Sequence, residues 1–256
     1  MTCHVEIIGQ GKPLVMIHGW GMHSGVWQPL VERLSRNYML YLVDLPGTGN
    51  SRPMDSPHLY NIANEVAEVM PGITDVLGWS LGGLVAQSIA TSQPERVRRL
   101  VLVGSTPCFI NKHDWPLAIS ADHFNDFAQT INADYKQAMM RFLTLQCMKA
   151  KDARQTIKQL RASLDLKPMP SQRALQDTLD ILLETDLRDV ASSINKPTLL
   201  LHGDRDTLAP VQAAHWMMRN MPKSFLRVIS GAAHAPFLSH SDQFIESLDQ
   251  FLEPDV

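Results

Sequence analysis

Ser80 stands at the centre of Gly78-Trp79-Ser80-Leu81-Gly82, which follows the apolar run Ile73 to Leu77 and precedes the helix-like stretch Leu84 to Ser92. A serine on so sharp a strand-to-helix turn is held in strained backbone geometry with its hydroxyl clear of the sheet, and the flanking glycines let neighbouring chain approach it. The first N–H groups of the helix then lie where an oxyanion would form. The chemistry of such a site is acyl transfer through a covalent intermediate. A serine hydroxyl is a weak nucleophile near neutral pH, so it needs an imidazole as base and an acid to orient that imidazole. Two downstream loops offer them: His202-Gly203-Asp204-Arg205-Asp206 and Ser230-Gly231-Ala232-Ala233-His234. Asp206 and His234 are the candidates, with Asp204 in the same loop as Asp206 and His240 six residues beyond His234. Taken alone, the pentapeptide also describes an ordinary glycine-rich connection between a strand and a helix.

Residues so far apart in sequence meet only if strand ends bring them together. Leu14 to Ile17, Met39 to Val43, Ile73 to Leu77, Val97 to Val103, Thr198 to Leu201 and Phe225 to Ile229 are short, mainly apolar runs bounded by turn residues, with Thr74, Asp75, Arg98, Arg99 and Arg227 among them. Each has the pattern of a strand buried on both faces. Helix-like stretches fall between several of them, notably Trp27 to Leu34, Ile62 to Met70, Leu84 to Ser92 and Gln243 to Leu252. Strands alternating with helices predict an α/β fold with a mostly parallel central sheet and helices on both faces. Ligand chemistry in such sheets gathers at the carboxyl ends of the strands, and there the candidate loops begin.

The alternation breaks between about Phe109 and Leu187, where helical patterns occur without a comparable strand run. The reading is a core formed by 1–108 and 187–256, with 109–186 inserted as a helical lid. From Lys136 to Arg161 this insertion carries seven basic residues against one acid, Asp152, in a chain of net charge −3. At the helical period Lys151, Arg154, Lys158 and Arg161 share one stripe, and Ala153, Ile157, Leu160 and Leu164 another. The apolar stripe can pack inward while the basic one faces solvent, either as a plain solvated face or as a docking surface.

Composition bounds the partners. The 256 residues suffice for one α/β domain with an insertion. With 19% charged residues and a slightly negative balance there is no global nucleic-acid signature. Nor is there an apolar stretch of the roughly 18 residues a membrane span requires. Cys3, Cys108 and Cys147 are widely separated, and the N-terminus lacks a basic start followed by a long apolar run. The expectation is reduced thiols in a cytoplasmic protein. Neither H-E-x-x-H nor a paired His/Cys spacing points to a metal. Gly47-Thr48-Gly49-Asn50-Ser51 opens like a dinucleotide fingerprint, but Arg52 stands where its third glycine belongs.

His18-Gly19-Trp20-Gly21, Asp44-Leu45-Pro46-Gly47, Gly78-Trp79-Ser80-Leu81-Gly82-Gly83, Gly203-Asp204-Arg205-Asp206 and Gly231-Ala232-Ala233-His234 occur in that order along nearly the whole chain. Together they resemble the α/β-hydrolase superfamily. Within it, the chain is similar to the pimeloyl-acyl-carrier-protein methyl ester esterases of biotin synthesis. That likeness extends to Pro107-Cys108-Phe109, to Arg141-Phe142-Leu143-Thr144-Leu145-Gln146 in the insertion, and to Ala233-His234-Ala235-Pro236-Phe237.

The resemblance implies a monomeric cytoplasmic serine carboxylesterase that needs no cofactor, with Ser80 as nucleophile, His234 as base and Asp206 as acid. Asp204 is then left to cap its turn. Main-chain N–H groups of Leu81 and Trp20 would hold the oxyanion, with His18 shaping the Trp20 loop. The resemblance also places Trp20, Phe142, Leu143, Thr144, Leu145 and Gln146 at the substrate. Arg141, Arg154 and Lys158 match basic positions that contact acyl-carrier protein, while a further family arginine is replaced by Gln137 beside Lys136. The alternatives within reach of the same residues are a general short-chain carboxylesterase with no carrier partner and a non-catalytic protein that binds a hydrophobic ligand.

Overall fold

The computed structural model describes residues 2–120, 130–131 and 134–253. Its centre is a seven-stranded sheet: β1 (His4–Gly9), β2 (Lys12–Ile17), β3 (Tyr38–Asp44), β4 (Thr74–Trp79), β5 (Val97–Val103), β6 (Thr198–Gly203) and β7 (Ser224–Ile229). They lie in the order β1-β3-β2-β4-β5-β6-β7. Only the β1–β3 pair is antiparallel within this sheet; every other pair is parallel. All six runs form strands. The five inner ones are covered on both faces and need no polar alternation; β7 is instead the second edge of the sheet, exposed at Phe225 and Val228, so its run is not that of a strand buried on both faces. β4 and β6 are buried at every residue. β1 carries no such signal: its sequence HVEIIG mixes polar and apolar side chains, and Ile7 at this sheet edge is exposed.

Helices α1 (Gln28–Leu34), α2 (Leu59–Glu68) and α3 (Leu81–Ser92) belong to the amino-terminal half. Between β5 and β6 come α4 (Tyr135–Gln146), α5 (Ala153–Leu164) and α6 (Gln172–Glu184). After β6 follow α7 (Val211–Asn220), the single turn α8 (Pro236–Ser239) and α9 (Ser241–Leu252). α3 is buried from Leu81 through Ala90, mostly apolar but with Gln87 and Ser88 enclosed as well. It begins at Leu81 rather than Leu84. Gly82 and Gly83 weaken helix propensity there, but close packing against β2 compensates, as described below.

The chain between β5 and β6 leaves and re-enters the sheet layer at one place, since the Leu187 N–H donates to the Pro107 carbonyl at 2.9 Å. Its start makes only isolated bridges, Ile110 with Ile119 and Lys112 with Trp115. Part of the 109–186 stretch, residues 121–129 and 132–133, lies outside the described residues. α5 has the two faces its sequence predicts. Leu160 and Leu164 are buried, Ala153 and Ile157 half-buried, and Arg154, Lys158 and Arg161 exposed. No helix among the described residues is long and apolar enough to cross a membrane.

Candidate active site

The site begins with a strained residue. Ser80, directly after β4, has φ 56° and ψ −118°, a region that costs a non-glycine residue of order 1–3 kcal/mol. The turn survives because its surroundings leave it no alternative. A Cβ at Gly78 would collide with the Gly82 carbonyl, and one at Gly82 with the carbonyl of Ile17 in β2. The Ser80 N–H donates to the Val103 carbonyl at 3.0 Å, and the Ser105 hydroxyl donates to the Ser80 carbonyl at 2.9 Å. Ser105 was not among the sequence-predicted residues; its only sequence signal is its place just past the end of β5.

Asp206 and His234 come together from the loops after β6 and β7. His234 Nδ1 donates to Asp206 Oδ2 at 2.8 Å, and both side chains are buried. The other carboxylate oxygen, Oδ1, accepts the N–H groups of Leu208 at 2.8 Å and Ala209 at 2.9 Å. The ring is therefore fixed as the Nδ1–H tautomer, and Nε2, which is buried and has no hydrogen-bond partner, carries the lone pair. Asp204 is used differently. It accepts from the Gly231 N–H at 2.7 Å and from the Ser230 hydroxyl at 3.2 Å, tying the two loops together. His240 pairs with its neighbour Ser239 instead.

Trp79 links the pair to the elbow. Its indole N–H donates to the His234 carbonyl at 2.8 Å, and its ring lies 5.7 Å from the imidazole. On the other side of Ser80 runs the loop that carries Trp20: a Cβ on Gly19 would stand 3.1 Å from Ser80 Cβ. Leu81, the first residue of α3, offers an N–H of the kind a helix cannot satisfy within itself. His18 holds the Trp20 loop in place. Its Nε2 accepts the Leu45 N–H at 3.1 Å, so Nδ1 is the donor to the Gly19 carbonyl at 2.8 Å. Burial pushes the His18 imidazole down to about 4, which keeps it neutral and out of proton exchange at neutral pH.

The helices between β5 and β6 cover this end of the sheet. Phe142 in α4 meets Trp20 edge to face, ring centroids 4.7 Å apart, and the Trp20 indole donates to the Leu175 carbonyl in α6 at 2.9 Å. Leu143 is buried, Leu145 half-buried and Thr144 exposed, with its hydroxyl donating to the Met140 carbonyl of its own helix. Gln146 is buried at the end of α4. Its carbonyl accepts the His234 N–H at 3.0 Å, while its amide has no protein partner. Arg141, Arg154 and Lys158 are all exposed, and among the described residues none has an acidic partner at ion-pair distance. Nor, among the described residues, do three metal-binding side chains stand together.

A strained serine between two strand-end loops, one bearing a histidine locked to a carboxylate, can perform nucleophilic acyl chemistry. A family model of the alpha/beta hydrolase fold matches residues 12–241. The chain belongs to the α/β-hydrolase family. Among curated proteins, this hydrolase is 42% identical over 97% of its length to a pimeloyl-acyl-carrier-protein methyl ester esterase of Nitrosomonas europaea, covering 98% of that protein. It is likewise 42% identical to one of Aeromonas hydrophila, over 98% of this chain and all of that one. Among solved structures it resembles an esterase from Exiguobacterium antarcticum, with TM-score 0.87 and 25% identity over 97% of this chain and 94% of that one.

Proposed function

We propose that this hydrolase is a serine carboxylesterase that removes the methyl group from pimeloyl-acyl-carrier-protein methyl ester, freeing the pimeloyl carboxylate for biotin biosynthesis. The observation that carries the chemistry is the buried Asp206–His234 hydrogen bond beside the strained Ser80. The substrate reading is supported by relatives of that name at 42% identity over nearly the full length.

In this reading Ser80 Oγ attacks the ester carbonyl and gives its proton to His234 Nε2, while Asp206 holds the imidazole through Nδ1. The N–H groups of Trp20 and Leu81 receive the oxyanion. Collapse of the tetrahedral species expels the methoxy group, which leaves as methanol with the proton from His234. Water then attacks the acyl-enzyme, His234 taking its proton and returning it to Ser80 as the carboxylate departs. Trp20, Phe142, Leu143, Leu145 and Gln146 form the substrate side of the site, with Thr144 on the solvent side of the same helix, under a lid spanning 109–186 on a core of 1–108 and 187–256.

Carrier proteins are acidic, so an exposed basic face on the lid gives encounter and register. Arg141, Arg154 and Lys158 supply it, with Lys151 and Arg161 on the same stripe as Arg154 and Lys158. The enzyme acts as a cytoplasmic monomer, a setting that suits its three free, buried cysteines, and it engages neither nucleic acid nor membrane. Reversing Arg154 and Lys158 to glutamate tests the carrier reading. Turnover of the carrier-bound methyl ester should fall at least about tenfold while hydrolysis of p-nitrophenyl acetate is spared. Equal loss on both substrates would make the basic face structural and leave a general short-chain esterase.

A further inference from the structure

Below the Trp20 loop sits a buried charge that the ester chemistry does not use. Asp44, the last residue of β3, has a fully buried side chain. Oδ1 accepts the Ser24 N–H at 2.8 Å and Oδ2 accepts the Asn50 N–H at 3.0 Å. These main-chain donors hold the carboxyl down at about 2 in spite of its burial, so it is an anion at neutral pH. His4 Nδ1 lies 3.5 Å from Oδ2. The remaining partner comes from the far side of the sequence. Lys167, in the link between α5 and α6, donates from Nζ to Asp44 Oδ2 at 3.1 Å and to the Ser24 hydroxyl at 2.6 Å. Its side chain is only 11% exposed, and Glu6 stands 3.6 Å from the same ammonium.

Ser24 belongs to the loop that carries Trp20, so Lys167 ties three pieces of chain at one point: the end of β3, the Trp20 loop and the link between two covering helices. Neutral hydrogen bonds flank it on the same seam. His23 Nε2 donates to the Leu164 carbonyl at 3.3 Å, and the Trp20 indole to the Leu175 carbonyl at 2.9 Å. The Asn50 and Ser24 N–H groups already satisfy much of the carboxylate. The ammonium is therefore not needed to fold the turn after β3. What it adds is a cross-link between the cover and the oxyanion side of the site, and a low-exposure ion pair is costly to break from one side.

We propose that Lys167 is a positioning residue: its ammonium clamps the α5–α6 link onto Asp44 and Ser24, and so sets how tightly the helical cover closes over the Trp20 loop. This rests on the esterase reading of Ser80 for its kinetic consequence, but not for its structural one. A long acyl chain must lie between cover and core, whereas acetate need not.

The test compares wild type, Lys167→Met and Lys167→Arg by amide hydrogen exchange and by hydrolysis of p-nitrophenyl acetate and p-nitrophenyl octanoate. In Lys167→Met, exchange should rise about tenfold or more in residues 18–27 and 164–175 while β4 and β5 are unchanged. KM for the octanoate should rise several-fold with the acetate KM unaltered, and Lys167→Arg should restore both. Unchanged exchange in those two segments overturns the clamp. So does a uniform rise across the sheet with equal loss on both esters. If Lys167→Met does not fold, Ser24→Ala removes one acceptor of the ammonium and carries the same exchange test, with a smaller rise expected in the same segments and no rise contradicting the proposal. A wild type that hydrolyses neither ester would count against the esterase reading, and the exchange arm would still decide the clamp.

Discussion

Asp206 divides its two carboxylate oxygens between duties: Oδ2 receives the His234 Nδ1–H at 2.8 Å, and Oδ1 receives the main-chain N–H groups of Leu208 and Ala209. An asparagine in its place must keep its carbonyl oxygen toward those N–H groups. The amide nitrogen then faces His234, and the ring is forced into the Nε2–H tautomer, which cannot accept a proton from Ser80. Asp206→Asn should therefore lower kcat by about 10³–10⁴-fold with little change in KM or fold. Ester kinetics beside a far-ultraviolet circular dichroism spectrum check this, and an activity loss under tenfold would contradict the assignment.

The strain at Ser80 predicts different stabilities for two inactive variants. Glycine adopts φ 56° readily, so Ser80→Gly should be more stable than wild type by about 1 kcal/mol, less its greater unfolded-state entropy. Ser80→Ala keeps the Cβ and the strain. Thermal unfolding of the three proteins should place Ser80→Gly above Ser80→Ala, and the reverse order would mean that the turn is not strained as described.

Phe142 packs its ring on Trp20, and truncation to alanine should cost on the order of 3 kcal/mol of stability. With the acyl chain lying against the Phe142 ring, KM for p-nitrophenyl octanoate should rise roughly tenfold with kcat within about twofold, since the lost contact is to the chain rather than the reacting carbonyl. A fall in kcat without change in KM would move Phe142 from the acyl pocket to the positioning of Trp20.

Three imidazoles, those of His18, His23 and His202, make stability depend on pH above the carboxylate range, because burial lowers each of them. Burial lowers both His18 and His202 from 6.5 to about 4, and both are wholly enclosed. Between these values the unfolded chain binds protons that the folded protein refuses. Their contribution is thus fully present above pH 6.5 and is lost as pH falls toward 4. Asp44 acts lower still, its contribution present above 3.8 and lost toward about 2. Urea midpoints at pH 7.5 and 4.5 should differ clearly, the lower pH being the less stable. Burial is the largest influence on the His202 ring, so His202→Leu should narrow that difference, and a drop of unchanged size would remove His202 from the account.

The inner strands were legible because burial on both faces leaves mainly apolar runs, and the elbow because Gly78 and Gly82 are required by close approach. Of the two edge strands β1 was not, since His4 and Glu6 interrupt its apolar residues, whereas β7 was legible through Phe225, Leu226, Val228 and Ile229 although part of that run is exposed. Asp204 and Asp206 are the same residue type two positions apart; the resemblance favoured Asp206, but which oxygen meets which N–H belongs to three dimensions. Ser105 has no motif around it, and the Lys167–Asp44 contact joins residues 123 positions apart, so no local pattern announces it. Likewise the resemblance grouped Phe142 through Gln146 at the substrate, yet a helix turns about 100° per residue. Thr144 accordingly faces solvent while Phe142, Leu143 and Gln146 are buried.

The most direct test of the central claim is the mass of pimeloyl-acyl-carrier-protein methyl ester after incubation with wild type and with Ser80→Ala. Wild type should shift the carrier to the mass of the free acid, one methylene lighter, with release of methanol, and Ser80→Ala should leave it unchanged. A carrier that keeps its methyl ester with wild type, or loses it equally with Ser80→Ala, would contradict the account.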